Sequence, residues 1–146
     1  MNILFAAKED SKELAPLFDA YRQFYNQPSN LDGAEAYLSE RLAEGESIIF
    51  FAKEGDEVLG FTQLYPTFSS ISMRRAWILN DLYVSEQARK KGVGERLLQQ
   101  VKEFAEETSA ASVSLSTAPD NEKAQRLYER NGYVRDEEFL HYELKI

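Results

Sequence analysis

The chain has 146 residues, 25 acids against 17 lysines and arginines, a formal net charge of −8, no cysteine and one histidine. That inventory excludes disulfides, thiolate zinc sites, Fe–S clusters, an acyl-cysteine mechanism and multi-histidine metal centres, so no metal is expected. The acid excess disfavours nucleic acid as a partner and is compatible with a cationic substrate.

At 43% hydrophobic and 12% aromatic, the chain reads as one folded domain over residues 1–146, with no linker, repeat or low-complexity block. Its start lacks a basic stretch followed by a long apolar region, so no signal peptide is read there. The longest apolar runs span five residues, as at 48–52, against the roughly 20 a membrane span needs. A soluble, cytoplasmic protein with no membrane partner is expected.

In chain order, residues 3–7 suit a first strand. Asp10 and Glu13 are spaced as a capping box, and Leu14, Leu17, Phe18, Tyr21 and Tyr25 then share a helical face with Pro16 inside the pattern. A second helix fits 32–44, with Glu35 placed for another box and Gly45 as its stop. Strands over 48–52 and 58–64 join across Gly55-Asp56, and Tyr65-Pro66 is expected to close the second. A polar connection at 69–74 leads into a long β-like run at 76–84. A periodic helix runs from 94 to about 107, with Leu97, Leu98, Val101, Phe104 and Ala105 on one face. A short strand at 112–116, a helix at 121–131 closed by Gly132 and a last strand at 139–144 complete the chain. Strands and hairpins interleaved with helices predict a mixed α/β sheet rather than an all-parallel one.

The most informative segment lies between the long strand and the periodic helix. Arg89, Lys90 and Lys91 stand just before a helix that opens at Gly92-Val93-Gly94. A helix N-terminus carries unpaired N–H groups and partial positive charge, so anions belong there, as Asp120, Asn121 and Glu122 show at the later helix. Cations crowded at that end make sense if a multiply charged anion is bound between them, and the glycines let backbone approach it. The other reading is a solvated basic loop with two turn glycines. A P-loop is excluded because Glu95 follows Gly94, and a dinucleotide fingerprint needs a small residue where Leu97 stands.

Arg89-Lys90-Lys91-Gly92-Val93-Gly94 resembles the Q/R-x-x-G-x-G/A acyl-CoA pyrophosphate motif of the GNAT family of N-acetyltransferases. Asp81-Leu82-Tyr83-Val84 is similar to that family's central strand, and Asn121, Ala124, Tyr128 and Gly132 match its N-x-x-A-x-x-x-Y-x-x-x-G pattern. The order of elements fits over nearly the whole chain, and the run 79–84 is similar to small acetyltransferases of the diamine and histone-tail type.

The resemblance implies the GNAT-like fold, a mixed sheet with splayed central strands flanked by helices. It also implies acetyl-CoA as co-substrate, with backbone near Leu82, Tyr83 and Val84 taking the pantetheine and Arg89, Lys90, Lys91, Gly92, Val93, Gly94 and Glu95 forming the pyrophosphate loop. A small-molecule or protein amine, cationic or a lysine side chain, would attack directly in a ternary complex. Such domains often form homodimers. Tyr128 is assigned by the family to protonating the departing sulfur, and a core tyrosine is the alternative. Asn121 would contact pantetheine, a role compatible with capping its helix. Diamine-type relatives carry an acidic pair where Asn80 and Asp81 stand; Asn80 cannot take a proton, leaving Asp81 as base or as a buried structural acid. Neighbouring strand residues face opposite ways, so Asp81 needs a bulge to face the amine.

Tyr21, Phe24, Tyr25, Tyr65, Phe68 and Trp77 are candidates for an acceptor groove or for core, and Glu35, Glu40, Glu44 and Glu46 for a solvated face or a cation-attracting one. His141 reads as structural, since no G-x-S-x-G elbow exists for it to serve. Two other readings stand beside the enzyme: a non-catalytic acyl-CoA-binding module or sensor, and a plain α/β domain whose loop binds another phosphate.

Overall fold

The computed structural model describes residues 1–146 as two compact units, 1–116 and 117–146. The first is built on a sheet of β1 (Asn2–Phe5), β2 (Ile48–Glu54), β3 (Glu57–Ser69), β4 (Arg74–Val84) and β5 (Val113–Ser114), in that spatial order. The first four are antiparallel neighbours and β5 joins β4 in parallel, so the mixed sheet expected from the sequence is the one that forms. Gly55, at φ +60°, makes the tight turn between β2 and β3.

Strand β3 runs past Pro66 to Ser69 instead of closing at Tyr65. The reason is its neighbour: β2 begins at Ile48 opposite Leu64, so beyond that point one edge of β3 is unpaired and the missing proline N–H breaks no ladder.

Helices α1 (Ser11–Phe24) and α2 (Leu31–Ala43) cover one face of the sheet. Leu14, Phe18 and Leu38 from these helices bury against Ile49, Phe51 and Phe61 of β2 and β3. Helix α3 (Val93–Glu107) covers the other face through Leu97, Leu98 and Val101, and its Phe104 ring packs 5.4 Å from Phe50 and 5.0 Å from Trp77.

Neither predicted capping box forms. The Asp10 carboxylate accepts from the Ala7 N–H at 2.7 Å, and Glu13 pairs instead with Lys53 at 2.8 Å. Helix α2 is capped by Asn30, whose Oδ1 accepts from the Gly33 N–H at 3.0 Å, so it starts one residue earlier than Asp32. Asp19 ties α1 to that cap, accepting from the Ser29 hydroxyl at 2.7 Å and the Asn30 N–H at 2.8 Å.

The second unit contributes α4 (Glu122–Arg130), capped by Asn121, whose Oδ1 accepts from the Ala124 N–H at 3.2 Å. Gly132, at φ +92°, lets the chain leave the helix. Residues 139–144, expected as a strand, form no ladder within this unit, where no second strand exists to pair with them.

Candidate active site

Strand β4 ends at Val84 and is followed by a single 3-10 turn, Glu86–Ala88, that buries Ala88. Lys90 then adopts φ +67° and Gly92 φ +77°, and α3 begins. The first bond of the helix runs from the Arg96 N–H to the Gly92 carbonyl at 3.1 Å, so the amides of Gly92 to Glu95 have no acceptor inside the helix, and no side chain caps it.

Close packing fixes where this end sits. Gly60 on β3 lies opposite Val84, and a Cβ there would stand 2.9 Å from the Tyr83 carbonyl oxygen and 3.1 Å from Val93 Cγ1. The absent side chain lets buried Val93, the first residue of α3, lie against β3.

Beyond Ile78 the sheet opens. Strand β5 pairs with β4 only at Trp77–Val113 and Ile78–Ser114. The Ser85 N–H reaches the Leu59 carbonyl at 2.8 Å, and ladder alternation then turns Tyr83 backbone toward β3 and that of Leu82 and Val84 to the opposite edge. The three cations divide. Arg89 folds back, its Nε donating to the Val84 carbonyl at 3.2 Å and its guanidinium lying 5.6 Å over the Tyr83 ring. Lys90 and Lys91 stay in solvent.

On the α1–α2 face, β4 carries the bulge that Asp81 needs. Gln63 pairs with Asp81 and Leu64 with Leu79, leaving Asn80 as the extra residue. Asp81 is thereby turned inward and is 3% exposed. Its Oδ2 accepts from Gln63 Nε2 at 2.6 Å and its Oδ1 from Asn80 Nδ2 at 3.0 Å, while the Ser47 hydroxyl donates to Gln63 Oε1 at 2.6 Å. No lysine or arginine forms an ion pair with this carboxylate.

Tyrosines surround it. The Tyr37 and Tyr65 hydroxyls are 2.7 Å apart, and Tyr21 donates to the Asn80 carbonyl at 3.4 Å. Burial first, then the bond to Tyr37 and the negative charge of Asp81, hold the Tyr65 hydroxyl far above the usual tyrosine value, so it stays neutral. The Tyr21 ring continues the cluster to Tyr25 at 5.2 Å and Tyr83 at 5.9 Å.

Trp77 is not part of this groove. It lies on the α3 face, 5% exposed, with its Nε1 donating to Thr108 Oγ1 at 3.0 Å. Phe68 is exposed near the end of the β3–β4 hairpin, under the Arg75 guanidinium. Glu40 and Glu46 both pair with Arg41, at 3.1 and 2.8 Å, which spends their charge on α2 itself.

In the second unit, Tyr128 projects from α4 with its ring 5.8 Å from that of Tyr133. Burial, and then the neighbouring Tyr128, push the Tyr133 hydroxyl up to about 12, so Tyr133 is not a base at neutral pH. His141 sits 3.0 Å from the Asp136 carboxylate.

Sequence reasoning missed Gln63, Ser47 and Tyr37. Gln63 did carry a signal, since a glutamine inside a buried apolar strand must find partners, but those partners come from other strands.

The Acetyltransferase (GNAT) family model matches residues 14–133. The chain is 52% identical over 146 residues to an uncharacterized N-acetyltransferase of Bacillus subtilis, YhfO, covering 100% of this chain and 98% of that one. It is 37% identical over 109 residues to a probable acetyltransferase of Haemophilus influenzae, covering 73% and 75% of the two chains. The crystal structure of a probable acetyltransferase superimposes with a TM-score of 0.95 at 47% identity, covering 100% of this chain and 98% of that one. With a strand edge parting from its neighbour, an uncapped helix start beyond it and these relatives, the chain belongs to the GNAT family and is an acetyltransferase.

Proposed function

We propose that residues 1–146 act as one N-acetyltransferase domain, moving the acetyl group of acetyl-CoA to the primary amine of a small cation or a lysine side chain. The carrying observation is the parting of β4 from β5 beyond Ile78, on the strand that leads into the uncapped start of α3 at Gly92.

The residues present fit such a co-substrate. Leu82 and Val84 would pair with the pantetheine amides along the free edge, the Val84 N–H remaining available because Arg89 takes only its carbonyl. The amides of Gly92, Val93, Gly94 and Glu95 would hold the pyrophosphate, with Lys90 and Lys91 adding long-range attraction. Arg89 would add its charge to the loop from its place on the Val84 carbonyl. Asn121 would offer its side-chain amide nitrogen to pantetheine, since its oxygen already caps α4.

The chemistry requires two protons to leave the nitrogen and one to reach the sulfur. An alkyl amine with a pKa of about 10.4 arrives as an ammonium ion and must lose a proton before its nitrogen can attack the thioester carbon. Asp81, a buried carboxylate with no cationic partner, would attract that ion, hold it by a charge-assisted bond and take the proton directly or through water. As the carbon–sulfur bond breaks, Tyr128 would give its hydroxyl proton to the departing sulfur and be restored by the second proton that the nitrogen of the tetrahedral adduct sheds, passed directly or through water. The products are an amide and free CoA.

Calorimetry with CoA, followed by thiol release from acetyl-CoA with spermidine, lysine and histone-tail peptides, tests this reading. Saturable CoA binding and release with cationic amines are expected. Reaction only with neutral or anionic amines would overturn the acceptor class. Tight binding without release under any amine would favour the non-catalytic sensor.

A further inference from the structure

We propose that Gln63 is a positioning residue that, steadied by Ser47, holds the Asp81 carboxylate in place and aims it at the aromatic face of α1 and α2. The proposal rests on the reading of Asp81 as the group that receives the amine proton, and it adds the device that prepares that group.

A glutamine amide has one oxygen and one NH2, and either could face Asp81. The Ser47 hydroxyl lies 2.6 Å from Oε1. Flipping the amide would set that oxygen 2.6 Å from Asp81 Oδ2, two acceptors in contact, unless the carboxyl carried a proton. In the observed orientation Nε2 donates to Oδ2, Asn80 Nδ2 donates to Oδ1, and both carboxylate oxygens act as acceptors.

The network is also buried, with Gln63 0% exposed, Asp81 3% and Ser47 4%, which strengthens these bonds. Gln63 lies opposite Asp81 on the adjacent strand, at the point where the Asn80 bulge breaks the register. Thr62 adds a bond from its hydroxyl to the Asp81 carbonyl at 2.8 Å, pinning the backbone of the same residue. The titratable and charged groups on this side are Tyr65 of β3, Tyr37 and Arg41 of α2 and Tyr21 of α1. Tyr65 is held neutral, Tyr37 is bonded to it, Tyr21 reaches the Asn80 carbonyl and Arg41 is spent on Glu40 and Glu46. A neutral amide donor is therefore what orients the carboxylate, leaving its negative charge for the incoming ammonium.

Two substitutions separate this role from simple packing. Gln63→Glu keeps the shape but replaces the donor with a second carboxyl, which would have to share a proton with Asp81. Ser47→Ala, a small change that preserves the fold if Gln63→Glu does not, removes the hydroxyl that steadies the amide against Asp81. Protein carrying 13C at the aspartate Cγ is titrated by NMR, the Asp81 signal being identified by its loss in Asp81→Asn. The signal is expected to titrate at higher pH in Gln63→Glu, and in the same direction but less in Ser47→Ala. The acid limb of kcat/KM for the fastest amine of the panel should move with it. An Asp81 signal that titrates at the wild-type pH in Ser47→Ala and in any folded Gln63→Glu would overturn the inference. If Asp81→Asn keeps the wild-type rate and pH profile, the assignment of Asp81 fails instead, whatever the NMR shows.

Discussion

Single side chains carry two separable demands in this molecule, chemistry and anchoring. Tyr128 belongs to the first under the proposed reading. Tyr128→Phe should lower kcat about a hundredfold or more, with CoA affinity by calorimetry unchanged. A core tyrosine would show the opposite pattern, a lower melting temperature with turnover retained. Asp19 belongs to the second. It is 6% exposed, and the Asn30 amide, followed by the Ser29 hydroxyl, holds its carboxyl below the usual aspartate range. A carboxyl depressed in the folded state contributes stability that is fully present above its unfolded value of about 3.9 and is lost as pH falls through the folded value. Asp19→Asn should therefore cost about 1–3 kcal/mol in urea unfolding at neutral pH, and that difference should shrink below pH ~4. A deficit of the same size at all pH values would show that the charge plays no part. Asp81 was legible as a candidate from its place in the strand. Gln63 and Ser47 were not, because 16 residues separate them and 18 separate Gln63 from Asp81.

At the scale of elements, the site depends on how β3, β4 and the start of α3 meet. Gly60 is the tightest point. Gly60→Ala should destabilise the fold by about 1–3 kcal/mol, since the new methyl group meets a backbone carbonyl that cannot swing aside. The same displacement would pass to Val93 and to the amides of α3, so CoA binding should weaken as well. A variant that melts like the parent and binds CoA equally well would show that β4 yields freely there. In sequence this glycine looked like any interruption of a strand, and only its neighbours across the ladder give it a reason. The glycines of the loop were easier to read, because the cations beside them violate the helix-dipole rule within a short stretch of chain. What a linear reading does not show is that the Arg89 guanidinium reaches the Val84 carbonyl and the Tyr83 ring.

Over the whole molecule, a net charge of −8 and a buried carboxylate without a counter-ion act in the same sense on an approaching ammonium ion. If that field steers the acceptor, kcat/KM for spermidine should fall by up to about tenfold from low to high ionic strength. A neutral-side-chain amine of matched reactivity should fall less, and an equal fall for both would remove steering from the account.

What the residues alone settled were the features written locally: helical and strand periodicities, the absence of thiols, the basic Gly-x-Gly loop and the Asn121–Gly132 frame. These depend on neighbours a few positions apart, which a linear reading can see. Tertiary structure alone decided that β3 continues through Pro66, that Asn80 forms a bulge turning Asp81 inward, that Trp77 belongs to the α3 face and that an amide, not a cation, holds the carboxylate. Each of those outcomes depends on which strand lies alongside which and in what register. Side-chain direction alternates with every residue of a strand, so one extra residue in β4 reverses which groups face α1 and α2.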